Sequence, residues 1–346
     1  MEEILNILLT GALGNVGIYT LKNLLEMGHS IKILELDNKK NKKLFKNIES
    51  LYPDGKLDIV WGDITDYEDV KESVKGQDII VHQAFIIPPL SEERPNWSWE
   101  INVEGTRNLI RAARETSPES GIVFTSSVSV FGKTQDRTPP RNTRENVLPT
   151  DNYSHHKVAC EQLVKVSGLK WTVLRLGAVL SPSLCEMDPM LFNVPLNNRI
   201  ELVHAADAGY AIASAAVSDK VWGGVYLIGG GKGCQMFQKD FISRVLDEVG
   251  IGMLPEAAFT EAPFYTDWMD TAEGQKLFDY QKRDLDDFLE DIRKSLGVRR
   301  HLVRMVKPAV KYWLLKKSPY MAEKYIRKDI PVKLLKGSPA MDSLQG

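Results

Sequence analysis

The segment "DNYSHHKVACEQL" places Tyr153 and Lys157 four residues apart in a stretch of helical character, so the two share one helical face. An ammonium beside a phenol favours the phenolate and lowers the tyrosine pKa. Tyr153 could then act as acid or base near neutral pH. A third group comes from "VFTSSVSVFG", an apolar run that ends in Ser126 and Ser127. A hydroxyl at the C-terminal end of such a strand faces the crevice where ligands of open α/β sheets bind. It could donate to a carbonyl oxygen beside the tyrosine. A Tyr/Lys pair at this spacing is common in any sequence, so its meaning rests on the elements that carry it.

Near the start of the chain, "LLTGALGNVG" sets Gly11, Gly14 and Gly17 between an apolar strand-like run and a helical run. Gly11 permits a tight turn off the strand, and Gly14 leaves the backbone bare for a pyrophosphate. Gly17 lets the new helix pack closely on the sheet, and the helix N-terminus offers N–H groups to the anion. This pattern points to a bound dinucleotide. Glu35 ends the next strand and is placed to accept the hydroxyls of an adenosine ribose and to repel a 2′-phosphate, which favours NAD over NADP. Asp37 is the weaker candidate for the same task, and Lys39 and Lys40 close behind could blur the preference.

The elements that must hold these residues alternate. "ILNILLT", "SIKILEL", "LDIVW", "DIIVHQA", "GIVFTSS" and "WTVLRL" read as strands. Helical stretches lie between them: 15–27, a Lys-rich run, "YEDVKESVK", 97–116 and 154–167. Apolar, β-branched strands alternating with helices predict an α/β fold with a doubly wound parallel sheet covered on both faces. After Pro182 the pattern loosens through "SPSLCEMDPMLFNVPLNNR", and a small C-terminal α/β lobe follows. Its helices are "DAGYAIASAAV", "KDFISRVLDEVG" and one starting near Asp284. The expected division is a dinucleotide domain over 1–182, a substrate lobe over 183–296 that returns to the core, and a basic extension over 297–346. The last residues, "KGSPAMDSLQG", read as a frayed tail.

Taken together, "TGALGNVG", "GDITD", "VHQA", "NVEGTRNLI", "TSSVSVFG", "YSHHK", "LRLGAVLSP" and "VHAADAGYA" resemble the extended short-chain dehydrogenases/reductases of the NAD-dependent epimerase/dehydratase family, in the family's order. The resemblance covers 4–296. It implies a Rossmann-type fold with NAD held on Gly11, Leu13, Gly14, Asn15, Val16 and Gly17. It gives the adenosine ribose to Glu35, the adenine to Asp63 and Ile64, and the cofactor path to Ala84. It implies that Asn102 opens the "NVEGT" helix and braces the site, and that Ser127 is the catalytic hydroxyl. Tyr153 becomes the acid/base, and Lys157 binds the nicotinamide ribose and tunes Tyr153. The reaction implied is hydride transfer at a secondary alcohol or ketone carbon of a sugar-type substrate, with the redox chemistry supplied by the cofactor.

Four departures bear on substrate. Val128 and Ser129 stand where sugar-nucleotide dehydratases carry Asp-Glu. "RLGAVLSP" places Ala178 at the family's substrate-touching Asn. Only 21 residues, Ser183 to Val203, separate that motif from "HAAD". Phe85 replaces a small residue and is expected to narrow the pocket near the nicotinamide. These leave open a simple dehydrogenase or reductase of a smaller or lipid-like hydroxy compound, and a non-catalytic NAD-binding scaffold.

The remaining features bound the class. No stretch is long and apolar enough to span a bilayer, and the acidic start lacks the pattern of a secretory signal. Cys160, Cys185 and Cys234 have no CxxC pairing, which suits reduced thiols in a cytoplasm. The histidines form no HExxH, so no metal site is expected. "GGGKG" lacks P-loop spacing, and Asp207 is expected to cap a helix. Residues 297–346 hold 12 Lys/Arg against 3 Asp/Glu, a net +9, so the rest of the chain carries −11. In "VRRHLVRMVKPAVKYWLLKK", Val298, Leu302, Met305, Val306, Ala309 and Trp313 form one helical stripe. Arg300, Arg304, Lys307 and Lys311 form another, with Pro308 interrupting. The alternatives are contact with an anionic membrane or acidic partner, and a helix docked on the body. No nucleic-acid motif accompanies the charge. The long helices from Trp97 and Ser154 are expected to build a homodimer.

Overall fold

The computed structural model describes residues 3–180 and 189–321. Cys185 and the C-terminal tail lie outside the described residues. The chain divides into two compact units. The first comprises Met1–Ser181, Ile200–Gln235 and Tyr265–Leu285; the second comprises Pro182–Arg199, Met236–Phe264 and Asp286–Gly346.

The first unit is a three-layer α/β sandwich. Its elements are β1 (Asn6–Thr10), α1 (Gly17–Glu26), β2 (Ser30–Glu35), α2 (Lys39–Glu49), β3 (Leu57–Trp61), α3 (Tyr67–Val74) and β4 (Ile79–His82). There follow α4 (Leu90–Glu93), α5 (Pro95–Trp99), α6 (Gly105–Thr116), β5 (Gly121–Ser127), α7 (Asn152–Lys165), β6 (Lys170–Leu176) and β7 (Ala178–Leu180). The last are β8 (Arg199–His204), α8 (Ala205–Ala216), β9 (Val225–Ile228) and α10 (Ala272–Phe278), with α9 (Gln238–Val249) between them in the second unit. Seven strands pair in the order β3-β2-β1-β4-β5-β6-β9, all parallel, with Ile7 opposite Ile31 on one side and Ile79 on the other. β7 and β8 pair in parallel within a second, three-stranded sheet.

Side chains alternate along the strands with a period of two. Ile7, Leu9, Ile33 and Val81 face the layer of α1 and α8. Leu8, Ile80, Ile122 and Phe124 face α3, α6 and α7. Burying each such side chain contributes about 1.5–3 kcal/mol, so both faces of the sheet hold helices firmly. Strand order reverses between β1 and β4, the switch point at whose C-terminal edge open α/β sheets bind ligands.

Residues 95–116 form one helical run from α5 into α6, two residues earlier than the sequence predicts, and a π turn at Glu100–Glu104 splits it. Asn102 therefore sits inside a helix instead of opening one. The reason is a wide turn that aims its amide at the loop after β4, described below.

In the second unit, α9, α11 (Leu285–Leu296), α12 (Arg299–Met305) and α13 (Lys307–Lys317) pack on their own apolar contacts. Phe241 meets Phe288 with ring centroids 6.4 Å apart, and Phe192 meets Phe259 at 5.7 Å. The helical break in the basic segment falls at Val306, not at Pro308, which occupies the first turn of α13, where its missing N–H costs nothing. No helix among the described residues is long and apolar enough to cross a membrane.

Candidate functional site

The glycine loop lies at the switch point. Gly11 has φ +69°, and a Cβ there would stand 2.7 Å from the Ala84 nitrogen, so the loop after β1 rests on the backbone after β4. A Cβ on Gly17 would stand 2.0 Å from the Gly11 carbonyl oxygen. The third glycine thus lets the start of α1 lie directly against the backbone leaving β1. Gly14 and Asn15 are exposed, Leu13 and Val16 half-buried. Val16 occupies the N-cap of α1 without a side-chain hydrogen bond. This gives bare backbone beside the positive end of a helix, a cradle that suits a pyrophosphate.

Glu35, at the end of β2, accepts a hydrogen bond from the Leu13 amide at 2.9 Å. Burial raises its pKa, and the amides of Leu13 and Ala12 oppose that. Asp37 instead pairs with Lys42 at 2.6 Å on the surface. After β3, Asp63 accepts from the Thr65 amide at 2.9 Å and its hydroxyl at 2.8 Å. The Ile64 side chain is buried in the core, against Gly105. Ala84 donates its amide to the Thr10 hydroxyl at 3.2 Å.

Phe85 joins this half of the crevice to the other. Its ring meets Tyr153 edge-on, centroids 5.8 Å apart, and the Lys157 Nζ stands 3.4 Å from its centroid. Lys157 also donates to the Thr125 carbonyl at 2.7 Å. Ser127 stands close enough to Tyr153 to oppose the rise in its pKa, and the Ser129 hydroxyl donates to Ser127 Oγ at 3.0 Å. Ser127, Tyr153 and Lys157 therefore lie near one another.

Their electrostatics differ from expectation. Burial pushes the Tyr153 phenol up to about 12, with Ser127 opposing it. Burial also pulls the Lys157 amine down to about 7. The sequence predicts a lowered tyrosine, but Lys157 lies 5.7 Å from that ring's centroid, engaged by a carbonyl and the Phe85 face. Desolvation outweighs a cation held at that remove.

α7 positions these groups by residue period. Tyr153, Lys157 and Glu161 fall at i, i+4 and i+8 on one stripe. At its far end Glu161 accepts from Ser126 at 2.7 Å and from two Arg175 nitrogens at 2.9 and 2.8 Å. Burial opposes ionisation of Glu161, but Arg175, Lys165 and Ser126 overcome it and hold its pKa below the usual range. At the near end Asp151 and Ser154 form a capping box. Glu92 of α4 accepts from the amides of Asn152 at 3.1 Å and Tyr153 at 3.0 Å, a carboxylate on a helix N-terminus.

The neighbouring stripe faces the π turn. Buried Asn102 accepts from the Ile86 amide at 2.7 Å and donates to the Ile86 carbonyl at 3.0 Å. Its amide nitrogen lies 3.2 Å from His156 Nδ1. His82 links Thr10 at 2.8 Å to Thr106 at 2.9 Å, and burial pulls its pKa down to about 3, so it is a neutral strut. No sequence motif marks Glu92, His156 or His82 as site residues: each has a partner at least 54 residues away. Asp207 is not a cap. His204 caps α8 through the Ala206 amide at 3.1 Å, while Asp207 accepts from the Lys282 and Arg283 amides at 2.9 and 2.8 Å. Cys160 and Cys234 are buried. Among the described residues no group of three or more His, Cys, Asp or Glu is placed to hold a metal ion.

A model of the NAD dependent epimerase/dehydratase family matches residues 7–229. The 3-beta-hydroxysteroid dehydrogenase of Mycolicibacterium neoaurum is 36% identical over 169 residues, 46% of this chain and 42% of that protein. The alignment thus spans less than half of that relative. A 3 beta-hydroxysteroid dehydrogenase/Delta 5-->4-isomerase of Mycobacterium tuberculosis is 28% identical over 278 residues, 72% of this chain and 70% of that protein. The fold is similar to a UDP-glucuronic acid 4-epimerase from Bacillus cereus solved with UDP-glucuronic acid and NAD. That likeness has a TM-score of 0.70 at 20% identity and covers 84% of this chain and 99% of the other.

Proposed function

This chain belongs to the NAD dependent epimerase/dehydratase family, and on that premise we propose that it is an NAD-dependent oxidoreductase of a secondary alcohol or ketone carbon. The observation that carries the reading is the convergence of Ser127, Tyr153 and Lys157 beside a bare glycine turn. Gly11, Leu13, Gly14, Asn15, Val16 and Gly17 would hold the pyrophosphate, Glu35 the adenosine ribose, and Asp63 and Ile64 the adenine edge. Ala84 would line the path between them. Bound there, NAD supplies the hydride acceptor or donor. The Ser127 hydroxyl would orient the substrate oxygen and Tyr153 would exchange its proton. With a pKa of about 12 the phenol is a proton donor at neutral pH. To accept a proton it needs the Lys157 amine in its charged form nearby. Asn102 is a positioning residue for the loop that carries Phe85.

For substrate, an apolar hydroxy or keto compound is favoured over a nucleotide sugar. The segment leaving β4 beside Tyr153 reads Phe-Ile-Ile-Pro-Pro-Leu, with Ile87 59% and Leu90 44% exposed. The hydroxysteroid relatives support the same class, whereas the sugar reading rests on likeness of fold. The second unit is proposed as the substrate lobe, and pairing through α6 and α7 as the route to a homodimer.

The test is NADH formation followed by absorbance against a panel of hydroxysteroids, aliphatic secondary alcohols and nucleotide sugars. Turnover of an apolar alcohol, lost roughly a hundredfold or more in Tyr153→Phe, is the expected result. Equal rates in wild type and variant would leave an NAD-binding scaffold. Interconversion of nucleotide-sugar epimers without added cofactor would replace the dehydrogenase reading with an epimerase.

A further inference from the structure

The basic C-terminal helices of the second unit are held to it by some of their cations and leave an apolar stripe outward. Arg300 pairs with Glu248, and Lys311 donates to the Met253 carbonyl at 2.9 Å. The Arg304 stem lies over Gly250, and the Lys307 amine lies beside Gly252. Beyond them, Leu314 and Leu315 are buried, and the Ser318 hydroxyl donates to the Ala258 carbonyl at 2.6 Å. These contacts fix α12 and α13 on the body of the unit. The opposite stripe is open: Val298 is 79%, Leu302 61% and Met305 81% exposed, with Val306 and Trp313 also exposed. Among the described residues nothing covers them.

We propose that this face docks on the surface of an anionic lipid membrane, with the apolar stripe entering the headgroup region. Charge selects the occupant. Residues 298–321 contain seven Lys/Arg and no Asp/Glu, and of these Arg299, Arg304, Lys307 and Lys316 stay exposed on the helices that carry the apolar stripe, so an anionic surface is attracted. A second copy of the chain would bring two such cationic faces together and be repelled, since a two-fold contact sets a patch against itself. Aromatic rings with adjacent cations stand at one end. The Lys317 Nζ is 3.9 Å from the Trp313 centroid, and the Lys316 Nζ is 4.9 Å from that of Tyr312. Such rings suit a boundary with one apolar and one wet side. From Val298 to Trp313 the stripe runs about 22 Å at 1.5 Å per residue, broken at Val306. That geometry lies in the plane of an interface and does not span it.

The test uses the full chain with vesicles of phosphatidylcholine, with and without phosphatidylglycerol, in a co-sedimentation assay. The expected result is binding to the phosphatidylglycerol vesicles that weakens as salt rises. It should fall about tenfold or more in Leu302→Ser/Met305→Ser, as loss of two apolar anchors requires. Both positions are exposed, so the variant should match wild type in thermal unfolding. Hydrogen exchange gives a second reading: amides of 298–306 should slow only when phosphatidylglycerol is present. Equal sedimentation with both vesicle types, or binding unchanged in the double variant, would overturn the proposal. So would capture by polyglutamate without capture by vesicles, which would point to an acidic protein, or a chain dimer that the double variant dissolves.

Discussion

At the scale of single residues, the site is governed by what surrounds a charge more than by its nearest titratable neighbour. Lys157 is 3% exposed, and burial takes its pKa to about 7 from an ordinary 10.5. Between those values the unfolded chain holds a proton that the folded chain has shed. Stability should therefore rise with pH from about 7 toward 10. Lys157→Met should lack that rise, and urea midpoints measured across the interval for both proteins would show it. A parallel pair of curves would mean that the amine is not desolvated in the folded state. The tyrosine contributes nothing in that window, because its own departure begins only above its ordinary value of 10.

At the scale of elements, the π turn is the part that aims the loop after β4. Replacing Asn102 with Ala removes an acceptor and a donor from the Ile86 backbone in a buried setting. Groups left unpaired there should cost about 2–4 kcal/mol, read as a lower denaturant midpoint. Because the glycine loop is untouched, the affinity for NAD should hold within about threefold, a shift smaller than 1 kcal/mol, by titration calorimetry. The same elements show what was legible in the sequence. Strand–helix alternation predicts the parallel sheet because apolar periodicity is local. The glycine loop and the Tyr153/Lys157 spacing are legible for the same reason. The amide of Asn102, the Glu92 carboxylate on α7 and the His82 strut are not, because their partners meet only after folding. The raised phenol pKa escapes the sequence too: it depends on burial by Phe85 and its surroundings, and i, i+4 spacing says nothing of burial.

At the scale of the whole first unit, Glu201 on β8 gathers segments distant in the chain. It accepts from the Met269 amide at 2.7 Å, Gln235 at 2.8 Å and the Gly231 amide at 3.1 Å. Burial raises its pKa to about 7 from 4.5, against the pull of those donors. Here the folded state keeps a proton that the unfolded state gives up. The contribution is fully present below 4.5 and is lost as pH rises through 7. Glu201→Gln should flatten that decline, and thermal midpoints at a series of pH values would reveal it. A decline of equal slope in both proteins would assign it to other groups. The first unit holds one more consequence, in α7. The Glu161–Arg175 pair clamps this rod eight residues, about 12 Å, from the phenol, and Glu92 steadies the other tip. The arrangement is a beam supported at both ends with its working oxygen near one of them. Slackening either support would widen the spread of positions that oxygen visits while leaving its mean in place, a loss of aim with no loss of grip.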